Sequence, residues 1–68
     1  MSDFVIANGQ PLLVGLPSTL EQFLIHRGLR PRSVVVELNG NAVAPSEFES
    51  LHLQTGDRLE IVQIVAGG

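Results

Sequence analysis

Residues 3–28 read DFVIANGQPLLVGLPSTLEQFLIHRG, and inside this stretch the spacing of apolar residues changes from a period of two to the helical period. Asp3 to Ala7 is rich in β-branched and aromatic residues and runs into Asn8-Gly9, a dipeptide that readily takes the positive φ angles of a two-residue hairpin turn. Gln10 to Leu16 supplies the returning strand. Pro11 has no amide donor, which puts that strand at a sheet edge or turns the position away from a neighbour. After Pro17, Ser18 followed three residues later by Glu21 reads as a capping box. Leu20, Phe23 and Leu24 form the i, i+3, i+4 stripe that packs on the sheet. Gly28 is a left-handed stop and Pro31 keeps the helix from resuming, so one helix of about ten residues is expected.

Downstream the period returns to two. Ser33 to Leu38 contains Val34-Val35-Val36-Glu37-Leu38, a β-rich run that ends in a second Asn-Gly at Asn39-Gly40. A second hairpin is expected, with a short strand through Val43 closed by Pro45. Ser46 to Leu53 is ambiguous, its Phe48, Leu51 and Leu53 fitting a brief helical turn and a small strand tucked under a loop. Gln54 to Asp57 is a turn for which Gly56 supplies the backbone freedom. Arg58 to Val65 is the last and strongest strand, but its pattern slips: Leu59 and Ile61 share one face, and Val62 and Ile64 fall on the other. Two readings stay open for that second face, a covered back or an exposed apolar patch for a partner.

Hairpin, helix, hairpin, short piece, final strand is an α+β order. It resembles the β-grasp arrangement of ubiquitin-like domains. That resemblance implies a mixed four- to five-stranded sheet packed on one main helix, first and last strands parallel in mid-sheet, and a flexible carboxyl-terminal Gly-Gly tail.

Sixty-eight residues make a single domain, 1–68, near the lower size limit for folding without staples. Hydrophobic residues at 44%, charged residues at 16% and a mean hydropathy of +0.28 separate the chain from disordered sequences. There is no Cys, which removes disulfides and thiolate metal sites, and His26 and His52 stand alone, so no metal is expected. The core is therefore aliphatic, with Phe4, Phe23 and Phe48. Four Arg and no Lys against seven acids give a net charge of −3, and there is no Tyr or Trp to stack bases, so nucleic acid is not an expected partner. The first residues carry neither a positive n-region nor a long apolar run; neither a signal peptide nor a membrane span is expected, and the location that follows is cytoplasmic.

Candidate acids and bases are scattered, and so small a chain has scarcely enough volume for both a core and a pocket that excludes water. The chain is not expected to be an enzyme. Ser18, Thr19 and Glu21 are accounted for by capping rather than as a nucleophile with its base. His26 reads as a surface residue in the last helical turn and His52 as a partly packed side chain. Arg27, Arg30 and Arg32 cluster after the helix, where positive charge complements the helix carboxyl end, with an anion site as the other reading. Glu47, Glu49, Asp57 and Glu60 read as an acidic surface suited to a basic partner, or as a plain solvated face.

The ending Val65-Ala66-Gly67-Gly68 is different in kind. Two final Gly residues occur by chance in about one chain in 200, and here they follow a strong strand directly. A chain-end Gly has no Cβ, enters a narrow site and presents a carboxylate with little shielding. That carboxylate needs activation, for example as an acyl adenylate, before sulfur or an amine attacks it. Ala66 to Gly68 extend about 10 Å, enough to reach a partner's ATP site. The absence of Lys and Cys leaves an activated terminus with no internal side chain to capture it, although drift in composition explains the absence more simply.

The segments Val34 to Gly40, Ala44 to Phe48, Gly56 to Val62 and Val65 to Gly68 together resemble the ThiS family of thiamine-pathway sulfur carriers over nearly the whole chain. The resemblance implies that an E1-like, ThiF-type adenylyltransferase uses MgATP to adenylate Gly68, with no cofactor bound by the chain itself. It further implies that sulfur from a cysteine desulfurase route makes a thiocarboxylate, and that a ThiG-type thiazole synthase takes the sulfur. Gly68 is then the modified residue, Gly67 and Ala66 give the tail access to a partner's active site, and Val62 and Ile64 are the partner-docking residues. The family often has an Arg near Pro45, which this chain lacks. The other readings are the small subunit of molybdopterin synthase, a ubiquitin-like protein modifier and a noncatalytic binding module.

Overall fold

The structure, a computed structural model, describes residues 2–65. The strands are β1 (Phe4–Ala7), β2 (Gln10–Leu13), β3 (Val34–Leu38), β4 (Asn41–Val43) and β5 (Arg58–Gln63), with one helix, α1 (Leu20–His26), after β2. They form a five-stranded sheet in the order β2-β1-β5-β3-β4. β1 and β5 are parallel through Ile6↔Arg58 and Ala7↔Leu59, and the other neighbours are antiparallel. This is the mixed sheet that the resemblance to β-grasp domains implies, and Pro11 lies on its edge strand β2.

Both Asn-Gly dipeptides make the expected turns, with φ of 50° and 81° at Asn8-Gly9 and 51° and 86° at Asn39-Gly40. Positive φ at both central residues is the turn whose twist matches that of the flanking strands. The helix is shorter than expected and its cap lies one residue later. Thr19, not Ser18, is the N-cap: its Oγ1 accepts from the Gln22 amide at 3.1 Å, and the Gln22 Oε1 accepts from the Thr19 amide at 2.9 Å. The shift has a non-local cause. The Ser18 carbonyl accepts from the Leu53 amide at 2.9 Å and the Leu20 amide donates to Leu51 at 2.8 Å, so this segment is held extended until Thr19. At the other end the Gly28 amide reaches Ile25 and the Leu29 amide reaches Leu24, both at 2.9 Å, with Gly28 at φ 76°. Together these form the paired bonds of a Schellman stop.

Between sheet and helix lies a core of Val5, Leu20, Phe23, Leu24, Val34, Val36, Phe48, Leu53 and Leu59. Phe4 does not join it. Val5 points inward, so alternation turns Phe4 to the opposite face, where it is 38% exposed. The ambiguous piece resolves into a 3-10 turn, Pro45–Glu47, that drops Phe48 into the core, and a single bridge between His52 and Thr19. Two strands stop earlier than expected. β2 has no neighbour beyond Val14, whose amide bonds the Asp3 carbonyl, and β5 makes its last ladder bond from the Ile64 amide to Ser33. The tail residues Ala66, Gly67 and Gly68 lie outside the described residues.

Candidate functional site

The site is the end of β5 and the sheet face beside it. β5 is central, with β1 on one side and β3 on the other, so anything attached beyond Val65 is carried by the best-anchored strand of the sheet. Two asparagine side chains strengthen that anchoring. Asn8 continues the β1–β5 ladder past the end of β1: its backbone amide donates to Leu59 at 2.8 Å and its Nδ2 donates to the Ile61 carbonyl at 3.0 Å. Its Oδ1 accepts from the Ile61 amide at 2.7 Å. Asn39, in the other turn, accepts from the Arg58 amide at 2.9 Å and donates to Asp57 at 3.1 Å. Each hairpin tip thus ties itself to β5 across more than a dozen residues of sequence. Local patterning identifies the turns but carries no signal for these long-range bonds.

The face of the sheet away from the helix is open. Val62 and Ile64 are 63% and 55% exposed, and Val35, directly opposite Val62 in the β3–β5 register, is 52% exposed. Among the two readings left open for this face, the structure shows an exposed apolar patch, with Val35 as a member that requires the strand register to find. Next along the same face Glu37 lies directly opposite Glu60. Like charges in that arrangement destabilise a sheet, and both side chains are exposed.

Of the two readings for Glu47, Glu49, Asp57 and Glu60, a shared acidic surface is not what the structure shows. Asp57 is committed to the turn, accepting from Gln54 at 2.7 Å and from Asn39 at 3.1 Å. Glu47 and Glu49 flank Phe48 on the helix side, whereas Glu60 is on the open sheet face. His52 is exposed rather than partly packed, because the buried neighbour Leu53 takes the inward position; His26 is exposed in the last helical turn. Ser18 and Thr19 carry no catalytic arrangement: the Ser18 hydroxyl donates to the Thr19 carbonyl and Thr19 caps the helix. Among the described residues no three His, Cys, Asp or Glu side chains converge as metal ligands, and no helix is long and apolar enough to cross a membrane. The described residues thus form a platform with an exposed apolar patch and, among them, no assembled catalytic group. Gly68, Gly67 and Ala66, the residues assigned to the chemistry and its access, are beyond them.

Comparison with known proteins gives the platform relatives. The model of the ThiS family matches residues 5–68. A thiazole synthase of Magnetococcus marinus is 34% identical over 61 residues, covering 90% of this chain but 19% of the relative. The chain therefore spans about a fifth of that protein's length. An uncharacterised protein, ycf40, of Pyropia yezoensis is 34% identical over 61 residues and is matched over 86% of its length. Among solved structures, the crystal structure of a thiamine biosynthesis protein, ThiS, from Geobacter metallireducens superposes with a TM-score of 0.81 at 25% identity, over 96% of this chain and 99% of that one. A solution structure of a thiamine biosynthesis protein from the same organism gives 0.79 at 25% identity, over 100% of this chain and 88% of that one.

Proposed function

The chain belongs to the ThiS family, and on that premise we propose that it is a sulfur carrier for thiazole formation in thiamine biosynthesis, a protein substrate rather than a catalyst. The observation that carries this reading is that the family match extends over Gly67 and Gly68. A ThiF-type adenylyltransferase binds the tail and uses MgATP. A carboxylate oxygen of Gly68 attacks the α-phosphorus, pyrophosphate leaves, and the resulting acyl adenylate is open to a sulfur nucleophile that displaces AMP. A persulfide formed by a cysteine desulfurase is that nucleophile: its terminal sulfur bonds the Gly68 carbonyl carbon as AMP leaves. A second thiol then cleaves the acyl disulfide, forming a disulfide with the persulfide's carrier and leaving Gly68 as a thiocarboxylate, which a ThiG-type thiazole synthase consumes. Gly67 and Ala66 let the end pass into a narrow active site because neither presents a bulky side chain.

The apolar patch of Val62, Ile64 and Val35 is the surface on which these enzymes dock, since it adjoins the root of the tail and is exposed without a covering layer. Thiazole synthase as the acceptor is supported by the Magnetococcus marinus protein of that name, in which a stretch like this chain is part of a much longer polypeptide. The same similarity favours the thiazole pathway over molybdopterin synthesis. The test is pyrophosphate exchange into ATP by the adenylyltransferase: it is expected with the full chain and lost when Gly68 is deleted. Exchange that persists without Gly68 would overturn the reading.

A further inference from the structure

Three of the four arginines stand at the end of the domain from which the tail leaves. Arg27 is the helix C-cap and lines an open groove with Phe23, Leu29, Ile61 and Gln63. Arg32 lies in a 3-10 turn, Pro31–Ser33, and precedes Ser33, whose carbonyl accepts from the Ile64 amide at 2.7 Å, so it is one residue from the last bond made by the end of β5. Arg30 lies in the same connection. The end of β5 therefore lies between the groove that Arg27 lines, on the β1 side, and the 3-10 turn that carries Arg32, on the β3 side. All three side chains are exposed, and among the described residues none makes a side-chain hydrogen bond.

The charge at this end opposes that of the whole molecule. Residues 7–13, 22–36 and 61–65, which build it, contain no Asp or Glu, although the chain carries seven acids and a net charge of −3. One acid comes near: Glu21, in the first turn of α1, shares a shallow groove with Arg30 and Arg32, leaving three arginines against one acid at this end. Complementing the helix dipole accounts for Arg27 alone. The helix ends at His26, and the dipole's influence falls off within the last turn, so Arg30 and Arg32 lie beyond it.

We propose that Arg27, Arg30 and Arg32 form a cationic collar around the root of the tail that docks on an acidic protein surface rimming the site into which the tail is threaded. This rests on the carrier reading and names the chemistry of the partner's rim. Three residues from Ala66 to Gly68 span about 10 Å when extended, which carries the reacting carboxylate and its nucleotide past the reach of an arginine side chain. The collar therefore meets protein at the mouth of the site. Exposed charges of this kind act chiefly on encounter, in a salt-dependent way, and orient the tail before insertion.

The test compares wild type, the Arg27→Gln/Arg30→Gln/Arg32→Gln variant and, as a control on the far half of β5, Arg58→Gln. Tail activation by a ThiF-type adenylyltransferase is followed as kcat and kcat/KM against sodium chloride, with Tm measured alongside. The triple variant is expected to lose about tenfold in kcat/KM at low salt with kcat unchanged. The gap should close toward about 0.5 M salt, where screening is nearly complete, while Arg58→Gln changes less than about twofold. A triple variant with the wild-type salt slope would overturn the collar and leave the carrier reading standing. A fall in kcat at saturation with an unchanged slope would place the arginines on the nucleotide instead and also overturn it. Failure of the wild-type chain to be activated or bound at all would remove both readings.

Discussion

Replacing Asn8 by Ala removes two interactions that the structure separates cleanly. The side-chain amide exchanges hydrogen bonds of 2.7 and 3.0 Å with the backbone of Ile61, and Asn8 itself sits at φ 50°. Both bonds are exposed to water, so each contributes near the low end of the usual range, about 0.5–1 kcal/mol. Placing Ala in the left-handed region costs about 1 kcal/mol more, because its Cβ crowds the following carbonyl whereas Asn tolerates the conformation. The sum is about 2–3 kcal/mol, a large share of the about 3–10 kcal/mol that a domain of this length has to lose. In urea unfolding the midpoint should fall accordingly, and Tm should drop by at least about 8 °C. Asn8→Gly separates the two parts: it loses the same bonds without the φ penalty and should be about 1 kcal/mol more stable than the Ala variant. Hydrogen exchange at the Ile61 amide, which loses its acceptor, should accelerate in both. An Asn8→Ala protein within about 0.5 kcal/mol of wild type, with the Ile61 amide still protected, would refute the view that the turn asparagine anchors β5.

Three further outcomes follow from the open face and the tail. Val62→Gln and Ile64→Gln should each change stability by less than about 0.5 kcal/mol, as expected for exposed positions, while weakening binding to the adenylyltransferase in titration calorimetry by about tenfold, the scale of an interface residue worth more than about 1 kcal/mol; a large stability loss with unchanged affinity would contradict docking on this face. Glu37→Gln should raise stability by about 0.2–1 kcal/mol at low salt by relieving the pairing with Glu60, and the gain in urea midpoint should shrink as salt is added. Gly67→Val should leave the unfolding curve unchanged and slow tail activation, measured by pyrophosphate release, because a branched side chain now has to pass the entrance.

What the sequence revealed about this fold was whatever depends on neighbours in the chain. Asn8-Gly9 and Asn39-Gly40 announce their turns because few dipeptides accept positive φ twice, and Leu20, Phe23 and Leu24 announce a helix face by spacing alone. The errors have non-local causes. The helix cap moved from Ser18 to Thr19 because Leu51 and Leu53 hold the preceding segment extended, and Phe4 left the core because Val5 owns the inward position of β1. Likewise Val35 joins Val62, and Glu37 faces Glu60, only once the β3–β5 register is known. The choice between an acidic surface and a plain solvated face also needed the fold, because Glu47 and Glu49 fall on the helix side and Glu60 on the other side of the sheet. For the tail the position is reversed, since its two glycines are conspicuous in the sequence while Gly68 lies outside the described residues.

The central claim concerns that residue. The most direct test is the intact mass of the protein after incubation with a ThiF-type adenylyltransferase, MgATP and a sulfur donor, beside a chain lacking Gly68. The carrier reading predicts an oxygen-to-sulfur mass gain in the full chain alone, mapped to the last glycine by fragmentation. An unchanged mass, with the same enzymes shown to be active on another carrier, would contradict it and leave the apolar face as a binding surface without group-transfer chemistry.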